Sequence, residues 1–106
     1  MFPVSSRDVF LAEPNCAEVT LEGEIDIANC AQIPLTVEGL CRAGFRRIRI
    51  DMDAVTFIDC SAVHAFVDAT ERARPHGCTV VLTRVRERAL RVLQLLELDT
   101  VLVERA

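Results

Sequence analysis

A chain of 106 residues can bury one hydrophobic core but not two, so we expect one domain over residues 1–106. Apolar residues make up 51% of the chain, yet their runs are only a few residues long, far below the ~20 that a membrane-spanning helix needs. This composition is typical of a globular protein and argues against direct membrane insertion. The net charge of −4 argues against nucleic acid as a partner, because affinity for phosphates comes mainly from Lys and Arg.

The N-terminal residues, the basic residues and the cysteine spacing point to a bacterial cytoplasmic protein without a metal. Residues 1–8 lack a basic segment followed by an apolar one, so we expect no signal peptide. All twelve basic residues are arginine, which we interpret as the base composition of a GC-rich bacterial genome. No Cys-x-x-Cys pair suggests zinc or redox chemistry, so we predict no metal and no cofactor. We expect most of the five cysteines to be small buried residues: Cys16, Cys30, Cys41, Cys60 and Cys78.

The first elements in the chain are two strands that form a hairpin. Residues 9–12 and 17–22 have strand character, and the second run alternates apolar and polar residues, as a half-buried strand should. Glu13-Pro14-Asn15 is the predicted turn. Residues 23–26 then end this part of the sheet, and Asp26 is a candidate cap for the helix that follows.

A first helix is predicted after Asp26. Its apolar residues recur at helical spacing from Cys30 to Cys41, and Ala43-Gly44 ends it. Pro34 is tolerated only in the first turn of a helix, so the regular part is expected to begin near Ile33.

The central part of the chain is predicted to run from a strand, through a short acidic turn, into a second helix. The strand covers residues 46–51 and the helix residues 61–74. Helical spacing separates two faces of the helix. The predicted buried face comprises Ala62, Val63, Phe66, Val67, Ala69, Thr70 and Ala73; the predicted exposed face comprises His64, Asp68, Glu71 and Arg72.

The last third of the chain continues this alternation. Pro75-His76-Gly77 ends the second helix, residues 78–82 form a strand, residues 86–96 a third helix and residues 101–103 a last strand. The order ββαβαβαβ predicts an α/β fold: a mixed, mostly parallel sheet with packed helices and right-handed crossovers.

Ser61 is the residue best placed to present a hydroxyl. It lies at the predicted start of a helix, where unpaired N–H groups and the helix dipole tolerate an anion such as a phosphate. A plainer interpretation is that Ser61 only satisfies a backbone donor there, and that Asp59 only caps the helix. His64, one turn later, invites a Ser-His-Asp interpretation, but no Gly-x-Ser-x-Gly turn accompanies it, so we predict no enzyme and no catalytic residue.

Three segments together resemble the STAS family, the sulfate-transporter and anti-sigma-factor-antagonist domains. Residues 23–26 are similar to the family's Gly-Glu-Leu-Asp. Residues 51–61 resemble Asp-Leu-x-x-Val-x-Phe-Ile-Asp-Ser-Ser, and residues 91–99 resemble the closing helix and turn. The resemblance covers nearly the whole chain and implies the STAS, or SpoIIAA-like, fold.

The resemblance implies a function as an anti-sigma factor antagonist, a phosphoprotein that regulates sigma-factor-dependent transcription by partner switching. Ser61 corresponds to the phosphoacceptor. The implied partners are an anti-sigma factor that is also an ATP-dependent serine kinase, and a serine phosphatase. The partner-binding surface implied by the resemblance comprises Asp26, Asp59, Cys60, Ser61, Ala62 and His64. The alternative is a STAS subunit that regulates a membrane transport complex, of the lipid-transport ATPase type, without a phosphorylation cycle.

Three residues depart from the family pattern. Cys60 replaces the first serine of the motif, Ala62 the glycine after the acceptor, and Glu97 the glycine before the last strand. The Cβ of Ala62 is expected to narrow the approach of a kinase loop to Ser61.

Overall fold

The computed structural model describes residues 9–13 and 15–104, with side chains from Asn15 onward. Four strands form one sheet in the order β1-β2-β3-β4. Their bounds are β1 Val9–Glu13, β2 Cys16–Ile25, β3 Arg47–Ile58 and β4 Thr79–Thr83. β1 pairs antiparallel with β2, whereas β2, β3 and β4 are parallel. The mixed, mostly parallel sheet is therefore as predicted. Residues 1–8, 105 and 106, and Pro14 of the predicted turn, lie outside the described residues.

Four helices complete the described part of the chain. They are α1 Gln32–Arg42, α2 Cys60–Ala73, α3 Glu87–Leu95 and α4 Asp99–Leu102. Pro34 lies in the first turn of α1, as predicted, where its missing N–H has no helical partner to lose. A 3-10 turn over Arg74–His76 follows α2 and ends at Gly77, whose φ of +69° suits a residue without a Cβ.

The helices cover one face of the sheet. Alternate residues of the strands, such as Val19, Ile50 and Leu82, are buried in the same cluster as Phe66 of α2 and Leu93 of α3. The intervening residues of β2 and β3 are mostly polar and partly exposed on the other face, with apolar Ala54 and Phe57 as exceptions on β3. On the predicted buried face of α2, Val67 and Thr70 are only half-buried and the other residues are buried, while Ala65 is buried without having been predicted.

The predicted acidic turn between the central strand and its helix is wrong. β3 does not end at Asp51 but continues as a strand to Ile58, because Met52, Val55 and Ile58 are buried and β2 pairs with it along this length. β2 is likewise longer than predicted and includes residues 23–25. Two register shifts on β3 accommodate extra residues, which obscured the strand periodicity in the sequence.

The last predicted strand is also wrong. Val101 and Leu102 lie in α4, where Leu102 is buried, and only Val103 forms a parallel bridge, to Leu82. A three-residue apolar run fits either a strand or one helical turn, so periodicity could not decide between them.

Glu97 occupies a position that favours glycine. The N–H of Leu98 donates to the Leu93 carbonyl, and the N–H of Glu97 donates to the Gln94 carbonyl, which together form a Schellman motif at the end of α3. Glu97 accordingly has φ of +57°. The departure from the family glycine thus keeps the turn but places a Cβ in the left-handed region.

Four of the five cysteines are buried as expected, but Cys60 is exposed. Its place as the first residue of α2 turns it away from the core. Among the described residues, no helix is long and apolar enough to cross a membrane.

Candidate functional site

Asp59 fixes the start of α2. Its side-chain oxygen accepts a hydrogen bond from the Ala62 N–H at 2.9 Å, so it caps the helix as the sequence allowed. Its own N–H donates to the Ile25 carbonyl at 3.3 Å. One residue therefore ends β3, begins α2 and joins both to the end of β2.

Cys60, Ser61 and Ala62 follow the cap and face different surroundings. Cys60 is exposed, Ser61 is half-buried and Ala62 is completely buried. The Ser61 hydroxyl makes no hydrogen bond to any described residue, so it is not used to hold the helix. The Cβ of Ala62 points into the core, so the expectation that it narrows the approach to Ser61 is wrong. The Ala62 side chain also contributes no surface to the site.

Asp26 lies in a compact loop beside the cap, but it does not cap α1. Its side chain accepts from the Ala28 N–H at 2.9 Å, and its N–H donates to the Asn29 side-chain oxygen at 2.9 Å. α1 begins six residues later, at Gln32, and has no side-chain cap. Asn29 also donates to the Glu24 carbonyl at 2.8 Å, which ties this loop to the end of β2.

The carboxylates of Asp26 and Asp59 both act on Cys30, a buried residue of this loop. The pKa of the Cys30 thiol is raised, first by burial, then by the Asp59 carboxylate and, to a lesser extent, by the Asp26 carboxylate. The two acidic residues that the sequence assigned to one site are therefore close enough to act on the same group. These two carboxylates place negative charge near the start of α2.

Ser61 and His64 line one groove between α1 and α2, with a volume of about 580 Å³. His64 is exposed, as the helical spacing predicted. Across the groove lie Pro34 and Leu35 of α1, and Leu35 is 58% exposed. Leu35 was not predicted as a site residue, although its position off the apolar face of α1, where an apolar side chain has no core to enter, was a signal for it.

The loop that contains Asp26 carries a second exposed apolar residue that was not predicted from the sequence. Ile27, next to Asp26, is 77% exposed. The available signal was an isoleucine outside any periodic pattern, next to the aspartate that the resemblance assigned to the partner-binding surface. Exposed apolar side chains next to polar ones are typical of surfaces that bind another protein.

The site lacks the contacts of a hydrolytic triad. Among the described residues, no hydrogen bond joins Ser61 to His64, and Asp68 instead accepts from Arg72 at 3.2 Å. Within residues 15–104, no group of His, Cys, Asp or Glu side chains has an arrangement that could hold a metal ion.

Residues 11–105 match the model of the STAS domain family, and the chain belongs to that family. The match spans β2 to β4, most of β1, the four described helices and the site at the start of α2. No curated protein matches the chain in sequence.

Solved structures with a similar fold at low sequence identity include the following three. The anti-sigma factor antagonist SpoIIAA of Bacillus, in its unphosphorylated form, has a TM-score of 0.77 at 16% identity, over 92% of this chain and 86% of SpoIIAA. The Thermotoga maritima protein TM1081 has a TM-score of 0.77 at 21% identity, over 97% of this chain and 84% of that protein. A sulfate transporter family protein from Wolinella succinogenes has a TM-score of 0.70 at 15% identity, over 96% and 82% of the two chains. These similarities establish the SpoIIAA-like fold.

Proposed function

We propose that this STAS protein is a cytoplasmic anti-sigma factor antagonist whose binding to an anti-sigma factor with serine kinase activity ends when Ser61 is phosphorylated. A serine phosphatase would restore the binding form, and the protein itself is a substrate of the cycle and not an enzyme. The proposal rests above all on one observation: Ser61 lies at the start of α2 with a hydroxyl that no described residue binds.

The surroundings of Ser61 fit a surface that a phosphate alters without unfolding the protein. Asp59, and not Ser61, caps α2, so modification of the hydroxyl breaks no helix contact. The N-terminus of a 14-residue helix tolerates an anion. SpoIIAA, which has a similar fold, has been solved in phosphorylated and unphosphorylated forms.

A phosphate on Ser61 would alter the electrostatics that a partner meets. It adds about 1.5 to 2 negative charges near the carboxylates of Asp26 and Asp59. Arg72, an arginine that lines the same groove, is already engaged by Asp68 at 3.2 Å and by Glu38 at 3.1 Å. The added charge would therefore face the partner largely uncompensated, which disfavours association through repulsion and desolvation.

The test is an affinity capture from lysate of the native host with wild-type protein, Ser61→Ala and Ser61→Asp as baits. Thr100→Asp, which adds the same charge at an exposed residue of α4, is the matched control. We expect wild type, Ser61→Ala and Thr100→Asp to retain an ATP-binding serine kinase, and Ser61→Asp to lose it. Incubation of the retained kinase with ATP should phosphorylate wild type and leave Ser61→Ala unmodified.

The fold similarity to the Wolinella sulfate transporter family protein favours one second candidate, regulation of a membrane transport complex without a phosphorylation cycle. In that case wild type and Ser61→Asp would retain the same transporter subunits, such as those of a lipid-transport ATPase. Equal recovery of one kinase by wild type and Ser61→Asp would contradict the switch.

A further inference from the structure

The second half of β3 has a neighbouring strand on one side only. Its pairing with β4 ends at Asp51 and Thr83, whereas its pairing with β2 continues to Ile58. Along residues 54–58, no described strand lies on the β4 side. An unpaired strand edge presents N–H and C=O groups that another extended chain can pair with.

A side chain already occupies the beginning of this edge. The Arg86 guanidinium, from the loop after β4, donates to the main-chain oxygen of Asp53. Beyond Asp53, Ala54, Thr56 and Phe57 are exposed. The Arg86 side chain thus takes the place of a neighbouring strand at Asp53, and the edge is accessible beyond that residue.

The open edge borders a groove of about 480 Å³ between β3 and α3. This volume suits a few side chains of a bound peptide. Phe57 is 44% exposed and Leu95 is 78% exposed, so both ends of the groove present apolar surface to solvent. The lining residues are apolar Phe57, Ile58, Val92 and Leu95, with charged Glu87, Arg88 and Arg91.

The charge at the rim of this groove is positive. Arg91 pairs with Glu87 at 3.1 Å, so these two charges largely cancel. Arg88 has no ion pair with any described residue. The Arg88 guanidinium is therefore complementary to a carboxylate on a ligand in the groove.

We propose that this groove binds an extended acidic peptide segment of a partner protein by strand addition to β3. Main-chain groups of the peptide pair with residues 54–58, an apolar side chain packs between Phe57 and Leu95, and a carboxylate binds Arg88. None of the residues that line the groove belongs to the Ser61 site, so this binding does not depend on the proposed phosphorylation switch.

The test begins with a phage-displayed library of random decapeptides panned on the full chain. The most enriched peptide is then titrated into ¹⁵N-labelled protein, and a copy with alternate backbone nitrogens methylated is titrated in parallel. We expect an enriched peptide that alternates apolar residues and contains Asp or Glu. Its chemical-shift changes should be confined to residues 54–58 and α3, and N-methylation should abolish them, because it removes the main-chain donors but keeps the side chains.

Charge and apolar variants complete the test. Arg88→Glu and Leu95→Ser should each weaken binding of the enriched peptide about tenfold or more. The matched controls are Arg74→Glu, at another exposed arginine with no ion pair to a described residue, and Val101→Ser, at another exposed apolar residue; both should bind as wild type.

Three results would overturn the proposal. They are the absence of any enriched peptide, shift changes that map to other residues, and binding that survives N-methylation or Arg88→Glu. Self-association of the chain that Arg88→Glu abolishes, seen by sedimentation at increasing concentration, would make a second copy the occupant and would also overturn it.

Discussion

The carboxylate of Asp59 and the main-chain N–H of Ala62 are joined by a hydrogen bond of 2.9 Å at the start of α2. Since the Asp59 N–H also donates to the Ile25 carbonyl, the same residue holds the helix start against the end of β2. This contact leaves the intervening Ser61 in the first turn with an unengaged hydroxyl. Asp59 therefore stabilises the helix start, while Ser61 stays available for the proposed phosphorylation.

Asp59→Ala should lower the free energy of unfolding by about 1 kcal/mol, because it leaves an N-terminal donor of α2 without its acceptor. Asp59→Asn should retain most of that stability, since an amide oxygen also accepts from Ala62. Urea unfolding at neutral pH, followed by circular dichroism, measures both. A loss with Asn as large as with Ala would show that the charge, and not the hydrogen bond, stabilises the helix start.

Ala62→Gly restores the family residue and should destabilise the protein by about 1 kcal/mol. The variant loses a completely buried methyl group and gains backbone freedom in the unfolded chain. The accessibility of Ser61 should not change, because the Ala62 Cβ lies in the core. Phosphorylation of Ser61 by a captured kinase, at equal rates in the variant and wild type, checks this second part; a faster rate in the variant would contradict it.

Glu97→Gly should raise the free energy of unfolding by about 0.5 to 1 kcal/mol, because glycine adopts the positive φ of this position without a Cβ clash. Glu97→Ala keeps the Cβ and should leave stability nearly unchanged. Gln94→Gly, inside α3, is the opposite control and should cost about 1 kcal/mol. Thermal and urea unfolding of the three variants provide the comparison. A loss of stability in Glu97→Gly would show that the Cβ of Glu97 does not strain this turn.

Iodoacetamide should modify one cysteine in the native protein, Cys60, because it is the exposed one. Burial foremost, and then the neighbouring Cys41 thiol, raises the pKa of the Cys78 thiol to about 12, so its reactive thiolate is scarce at pH 8. Peptide mass spectrometry after labelling identifies the site, and labelling in urea should reach all five cysteines. Native labelling of Cys78 at the rate of Cys60 would contradict the burial pattern.

Asp51→Asn should remove a pH-dependent part of the stability. The hydrogen bond from Arg84, at 2.7 Å, is the main cause of the lowered pKa of Asp51. A lowered pKa in the folded state stabilises the protein above the ordinary value of 3.8, and this stability is lost as pH falls through the folded value. The contribution is at most about 1 kcal/mol because Arg84 is largely exposed.

Urea unfolding from pH 7 to pH 2 measures this difference between wild type and Asp51→Asn. It should be constant above the ordinary aspartate pKa and should disappear at the acid end. Asp68→Asn, which removes an exposed pair within α2, should change stability by no more than about 0.5 kcal/mol at any pH. A difference for Asp51→Asn that persists at pH 2 would mean that the charge is not its origin.

Local patterns in the sequence were sufficient for the three longer helices but not for the short α4 or for the long strands. The helical spacing of α2 predicted most of its buried residues and the exposed position of His64, although Val67 and Thr70 are only half-buried and the buried Ala65 was not predicted. The end of β3 was wrongly predicted at Asp51, because the extra residues at its register shifts break the alternation on which strand prediction depends. The pairing with β2 maintains the strand there, and pairing between distant segments leaves no local signal.

The sequence by itself determined the α/β class, the apolar faces that form the core, and the serine that a helix start presents, since each follows from residues close together in the chain. Only the tertiary structure decided which neighbours those residues meet. It buried Ala62 while exposing Cys60, brought Asp26 and Asp59 to the same buried thiol, and left an edge of β3 open beside α3. The physical reason is that burial and electrostatic environment depend on packing between elements far apart in the sequence.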